Sequence, residues 1–138
     1  MKIGLPSDRK SFSSPLASNF ERCSFFIIYN SDHENDMTII HNDAQTAARG
    51  VENQVAKLFV EQNIDILITL QICAETLNIL LNAGIRVYLA IDGTLLENID
   101  AYRQGRLFET FIAFTLSEQD LGSGKFPISI YKIIRNKV

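Results

Sequence analysis

The side chains of this sequence best suited to bind a soft or borderline metal ion are its two cysteines and its histidines. Cys23 follows Arg22, and a neighbouring cation lowers the pKa of a thiol. Cys73 precedes a predicted helix, whose oriented N–H groups and dipole also favour a thiolate. His41 ends a predicted strand, from which an imidazole could reach a metal ion, whereas His33 lies in a polar turn. We therefore take Cys23, His41 and Cys73 as candidate ligands for iron or copper.

Polar side chains beside these ligands complete a candidate binding set. Arg22 carries a planar fork of donors that suits an anionic cluster or its organic acid. Asn42 follows His41, and Gln71 lies two residues before Cys73. The alternative to ligand binding is a structural role for each of these residues. A free cysteine is commonly a small buried hydrophobic residue, and a surface arginine commonly forms a salt bridge. The candidate binding residues are Arg22, Cys23, His41, Asn42, Gln71 and Cys73.

The periodicity of the chain predicts the elements that position these residues. Short apolar segments rich in aromatic and β-branched residues predict strands over 2–6, 24–29 and 37–41, the last two forming a hairpin. Stripes of apolar residues at helical spacing predict helices over about 50–63, 74–82 and 95–103. Between them, nearly continuous apolar runs predict strands over 64–70 and 86–91, and the first should be central because it is apolar on both faces.

Alternation of strands and helices after residue 64 is typical of βαβ units, so we predict an α/β fold with a largely parallel sheet. Ligands of such sheets bind outside the carboxyl ends of the parallel strands. Those ends are predicted at 7–8, 71–73 and 92–93. The candidate residues Gln71 and Cys73 therefore lie where a ligand crevice is expected.

Composition excludes several classes of protein. The 138 residues fit one domain, and 46% hydrophobic with 21% charged residues is ordinary for a globular chain. A net charge of −3 offers no basic surface for nucleic acid. We find no apolar run of membrane-spanning length and no signal peptide, so we expect a cytoplasmic protein without nucleic-acid or membrane partners. Two cysteines are too few for a disulfide framework.

Enzymatic motifs are missing from the sequence. There is no P-loop, no G-x-G-x-x-G and no Ser-His-Asp order. A two-metal nuclease would need converging carboxylates. Asp8, Asp43 and Asp92 come from separate predicted loops, and Asp65 lies at the amino end of its strand. We therefore expect a protein that is not an enzyme.

Several segments together resemble the dinitrogenase iron-molybdenum cofactor biosynthesis family. The resemblance rests on residues 1–8, 14–16, 19–29, 84–88, 94–99 and 105–107. It implies a ribonuclease H-like three-layer α/β fold with a five-stranded mixed sheet, one antiparallel strand and helices on both faces. It also implies a non-catalytic binding or carrier protein for iron-molybdenum cofactor or an iron-sulfur precursor, with metallocofactor assembly or acceptor proteins as partners.

The resemblance divides the chain into a family-like domain over 1–107 and a C-terminal extension over 108–138. The extension is apolar and aromatic at first, contains a strand-like segment over 126–134 and ends with basic residues. We expect it to pack on the same domain and to add edge structure or a self-association surface, such as that of a homodimer. A docking surface for an acidic partner is the alternative for its basic end.

Three positions depart from the pattern of the family. Glu21 stands where the family usually has the glycine of a Phe-Gly-Arg loop, and Arg49 stands where it often has a histidine. The loop over 70–74, often Gly-x-Ile-Gly-Pro, has here gained Cys73 and lost its glycines. These departures permit a second hypothesis, in which the chain is a regulatory or protein-interaction module that retains the fold without a metal cluster.

Overall fold

The computed structural model describes residues 1–33 and 36–110. Its strands are β1 (Lys2–Ser7), β2 (Phe25–Asn30), β3 (Met37–His41), β4 (Ile66–Thr69), β5 (Arg86–Leu89) and β6 (Phe108–Thr110). Its helices are α1 (Val51–Glu61), α2 (Ala74–Asn82) and α3 (Leu95–Arg103), with a short 3₁₀ helix at Asp43–Thr46. The α/β class and the predicted order of strands and helices are therefore confirmed, and the 3₁₀ helix is an element that the periodicity did not predict.

One mixed sheet contains all six of these strands, in the order β3-β2-β1-β4-β5-β6. The three central strands, β1, β4 and β5, run parallel to one another. By contrast, β2 is antiparallel to both β1 and β3. At the other edge β6 is antiparallel to β5. The expected five-stranded sheet with one antiparallel strand is therefore wrong for the described part of the chain. The chain turns back after α3 and adds β6 as a sixth strand and a second antiparallel one.

Helices cover both faces of the sheet because its central strands are apolar on both sides. All four residues of β4 are buried. Leu67 belongs to the core formed with α1 and α2, whereas Ile66 and Ile68 belong to the core formed with α3. Adjacent strand residues point to opposite faces, so one short strand contributes to both cores. The arrangement is a three-layer sandwich with α1 and α2 on one side and α3 on the other.

Local signals in the sequence account for the helix boundaries. Gly84, just after α2, has a φ of 85°, a left-handed conformation that glycine adopts without strain. Thr94 and Glu97 form a capping box at the start of α3, which satisfies two N–H groups that have no partner inside the helix. None of the helices in the described part of the chain is long and apolar enough to cross a membrane.

Residues 108–110 of the predicted C-terminal extension form β6. The strand predicted over 126–134 and the basic end of the chain lie outside the described residues.

Gly4, in the central strand β1, is a position where the fold requires the absence of a side chain. A Cβ there would lie 2.8 Å from Cε2 of Phe59. Phe59 cannot easily yield, because its ring packs edge-on against Phe20 and Phe26. We expect Gly4→Ala to lower the free energy of unfolding by about 1–3 kcal/mol, as overpacking does. Urea denaturation measures the loss.

A double variant checks the cause of that loss. Phe59→Leu removes the ring atoms that the new methyl group would meet. The loss caused by Gly4→Ala should therefore be smaller in the Phe59→Leu background than in the wild type. Equal losses in the two backgrounds would show that the contact with Phe59 is not responsible.

Candidate functional site

The carboxyl ends of β1, β4 and β5 meet at one end of the sheet, because these strands are parallel and adjacent. The crevice predicted from the sequence therefore exists as a feature of the topology. The loop after β1 reaches across to the start of α3, where Leu95 N donates to the carbonyl oxygen of Ser14. A cavity of about 390 Å³ lies beside the end of β4, lined by Leu70, Gln71, Ile72, Ala74, Leu77, Leu89 and Thr110.

Cys23 lies in the protein core. Only 2% of it is exposed, and its Sγ is 3.3 Å from the carbonyl oxygen of Phe20 and 3.2 Å from that of Phe25. Burial raises the pKa of its thiol to about 12, because a thiolate would lose its hydration there. The charge of Arg22 does not produce the lowered pKa that the sequence suggested. In this structure Cys23 occupies the place of a small buried hydrophobic residue.

Cys73 is the exposed cysteine and forms the N-cap of α2. Its Sγ is 3.0 Å from Oγ1 of Thr76, one turn into the helix. We expected the helix N-terminus to lower the pKa of this thiol, but the pKa is raised. Partial burial of the sulfur is the main cause, and the negative charge of Glu21 acts in the same direction.

Glu21, on the turn before β2, is in contact with Cys73. It is 8% exposed, and its Oε1 accepts a hydrogen bond of 3.0 Å from the backbone N–H of Cys73. Two of the departures from the family pattern are thus in direct contact. The Cys73 side chain itself makes no capping hydrogen bond, so a carboxylate 52 residues away in the sequence binds the N-cap N–H of α2. Sequence reasoning did not include Glu21 among the candidate binding residues.

Asn42 and Arg22 hold the turn that carries Glu21. Asn42 is 2% exposed, and its Nδ2 donates to the carbonyl oxygens of Glu21 (3.0 Å) and Cys23 (2.9 Å). Arg22 Nη1 donates to the carbonyl oxygens of Gln45 (3.1 Å) and Ala47 (2.7 Å). Both predicted binding residues therefore make internal hydrogen bonds that join the turn to the 3₁₀ helix.

His41 lies on the opposite face of the sheet from Cys73. Its neighbour Ile40 packs against the core beneath α1 and α2, so by strand alternation His41 faces the other side. There it pairs across the sheet with Phe25, and its Nδ1 lies 3.0 Å from Oδ1 of Asp43 at the surface. The structure therefore does not bring His41 and Cys73 together.

Among residues 1–33 and 36–110, no three side chains of the His, Cys, Asp or Glu type are placed to hold one metal ion. Of the six predicted binding residues, Gln71 and Cys73 follow the carboxyl end of β4. Arg22 and Cys23 belong to the turn that carries Glu21, Asn42 caps the 3₁₀ helix that bonds to this turn, and His41 lies apart from them. Their role in ligand binding stays a prediction. The geometry defines a small α/β domain whose crevice offers one exposed thiol next to a buried carboxylate.

Comparison with known proteins agrees with this class of domain. Residues 1–105 match the family described as dinitrogenase iron-molybdenum cofactor. The chain belongs to this family, which confirms the resemblance noted in the sequence.

Relatives and solved structures of similar fold extend the comparison. An uncharacterized protein of Methanocaldococcus jannaschii is 28% identical over 109 residues, covering 78% of this chain and 89% of the relative. A Thermotoga structure whose description connects it with NifB is 30% identical with a TM-score of 0.68, covering 82% of this chain and 97% of that one. The apo form of the orange protein from Desulfovibrio gigas has a TM-score of 0.72 at 18% identity, covering 77% of this chain and 89% of that one. This last likeness concerns the fold alone.

Proposed function

We propose that this protein is a non-catalytic carrier of an iron-molybdenum or iron-sulfur cluster, or of a precursor, during metallocofactor assembly. The observation that carries the proposal is the match of residues 1–105 to a family described by the iron-molybdenum cofactor. In this role the cluster is cargo. It is received from an assembly protein and passed to an acceptor protein.

The donor set of the crevice suits cargo that brings its own ligands. A protein site built from side chains alone would need several ligands around each metal ion, and the described residues offer no such group. A preassembled cluster already carries sulfides, so one thiolate and a few hydrogen-bond donors can hold it. A carrier must bind its cargo weakly, through few contacts, because it has to release the cargo again.

Cys73→Ser should abolish most of the cluster binding. The serine hydroxyl is a poor ligand for iron, and Cys73 is the exposed cysteine of the chain. The experiment is anaerobic incubation of the full chain with ferrous iron, sulfide and a thiol, followed by desalting and measurement of the visible absorption band. We expect the retained band to fall at least about tenfold.

Cys23→Ser is the matched control, since it makes the same chemical change at the buried cysteine. It should retain the band as long as the variant folds. Absence of a band in the wild type, or a band of equal intensity in Cys73→Ser, would contradict the carrier function.

A regulatory or protein-interaction module without a cluster is the second candidate function. The contact between Glu21 and the N-cap of α2 favours it, because a carboxylate already occupies a place where an anionic ligand would be stabilised. In this case the wild type would bind neither iron and sulfide nor a molybdenum-sulfur anion.

A further inference from the structure

The Glu21 carboxylate links the turn before β2 to the start of α2. On one side, the turn that carries it is fixed by the buried amide of Asn42 and by the Arg22 side chain. On the other side is the N-cap of α2, whose N–H it binds at 3.0 Å. Burial of a carboxylate costs free energy unless it is hydrogen-bonded. The contact therefore joins two segments that are 52 positions apart in the sequence.

The negative charge of Glu21 acts on any charged ligand that approaches Cys73. The start of a helix stabilises an anion through its free N–H groups and its dipole. Here an internal anion takes that stabilisation. A second anion near Cys73 would meet the like charge of Glu21 in a partly buried place, where charges are screened less than in bulk water.

We propose that Glu21 determines the specificity of the crevice, by competing with anionic ligands for the start of α2. An anionic cargo binds there only after it displaces the carboxylate from the N–H of Cys73. This inference rests on the proposed function where it concerns the cluster. For small anions it stands on the geometry alone.

Glu21→Gln tests the inference with little disturbance of the fold. The amide oxygen of glutamine can still accept the hydrogen bond from Cys73 N–H, but the negative charge is gone. Glu75→Gln is the matched control, because Glu75 is an exposed acidic residue in the first turn of the same helix. Thermal unfolding checks that both variants are folded.

The first measurement is the rate of alkylation of Cys73 in protein without cargo, by iodoacetate and by iodoacetamide. A change in the amount of thiolate affects both reagents equally, so the ratio of the iodoacetate rate to the iodoacetamide rate reports only the exclusion of the anionic reagent. We expect Glu21→Gln to raise this ratio at least about fivefold and Glu75→Gln to change it less than about twofold. An unchanged ratio in Glu21→Gln overturns the inference.

The second measurement is the affinity for tetrathiomolybdate, a molybdenum-sulfur dianion that absorbs visible light. We expect at least about tenfold tighter binding to Glu21→Gln than to the wild type, and little change for Glu75→Gln. Equal affinities of Glu21→Gln and the wild type overturn the competition with cargo. A raised alkylation ratio together with no tetrathiomolybdate binding and no iron-sulfur band in any variant would support the role of Glu21 toward small anions and contradict the carrier function.

Discussion

Raising the pH from 9 to 11 is expected to destabilise the wild-type protein more than its Cys23→Ala variant, by about 2–3 kcal/mol in the free energy of unfolding. The reason is the buried thiol of Cys23, whose pKa in the folded protein is about 12. In the unfolded chain this thiol ionises near pH 9. Between these two values the unfolded state loses a proton that the folded state keeps. The stabilising effect is complete below pH 9 and disappears as the pH rises toward 12.

The measurement is urea denaturation of both proteins at pH 8, 9, 10 and 11. Differences that do not depend on pH, such as the small cavity left by alanine, appear already at pH 8 and are subtracted. Tyrosine ionisation is common to both proteins and cancels. Cys73→Ala serves as the control for an exposed thiol, and its pH dependence should follow that of the wild type more closely. Parallel stability curves for Cys23→Ala and the wild type would show that the Cys23 thiol is not buried in the folded protein.

This result bears on the choice of cluster ligand. A thiol that stays protonated up to a high pH is not available as a thiolate at neutral pH. Cys23 could bind a metal ion only if the turn around it opened, which would break the hydrogen bonds of Asn42 to Glu21 and Cys23. The exposed Cys73 needs no such rearrangement.

Most of the fold could be predicted because it depends on local periodicity. The predicted bounds of β3 and α2 agree with the structure, since a clear apolar pattern ends there at a polar residue or at Gly84. The extension was expected to add edge structure or a self-association surface, but β6 was not predicted as a sixth strand of the sheet. It is only three residues long, and its pairing with β5 depends on where α3 places the chain, which no short segment encodes.

The site was predicted less well, for a different reason. The crevice followed from the strand order, but the residues that meet there are distant in the sequence. Glu21 and Cys73 are in contact across 52 positions, and carboxylates are mostly exposed, so nothing in the local sequence marks Glu21 as buried. His41 was grouped with the cysteines because it ends a strand, yet the side on which it lies depends on the alternation of β3 within the sheet.

Asn42→Ala is expected to lower the free energy of unfolding by about 2–4 kcal/mol, because it leaves buried backbone groups without partners. Its Nδ2 donates to two carbonyl oxygens, and its Oδ1 accepts from the N–H of Ala44. The measurement is urea denaturation at pH 7. Asn78→Ala is the matched control, since Asn78 is exposed on α2 and makes one long hydrogen bond, to Asn82. Asn78→Ala should lower the free energy of unfolding by less than about 0.5 kcal/mol.

Asn42→Asp separates the hydrogen bonds from the packing, because aspartate has nearly the same shape. At pH 7 its carboxylate faces the carbonyl oxygens of Glu21 and Cys23, so its pKa in the folded variant should rise above the unfolded value. The Asn42→Asp variant should therefore be less stable than the wild type at pH 7. This loss should shrink as the pH falls from the raised pKa of the folded variant to about 4, the pKa of aspartate in the unfolded chain, because the protonated side chain regains a donor. If the stability lost in Asn42→Asp does not depend on pH, the missing hydrogen-bond donor is not its cause. If Asn42→Ala is as stable as the wild type, the Asn42 amide is not needed to hold the turn.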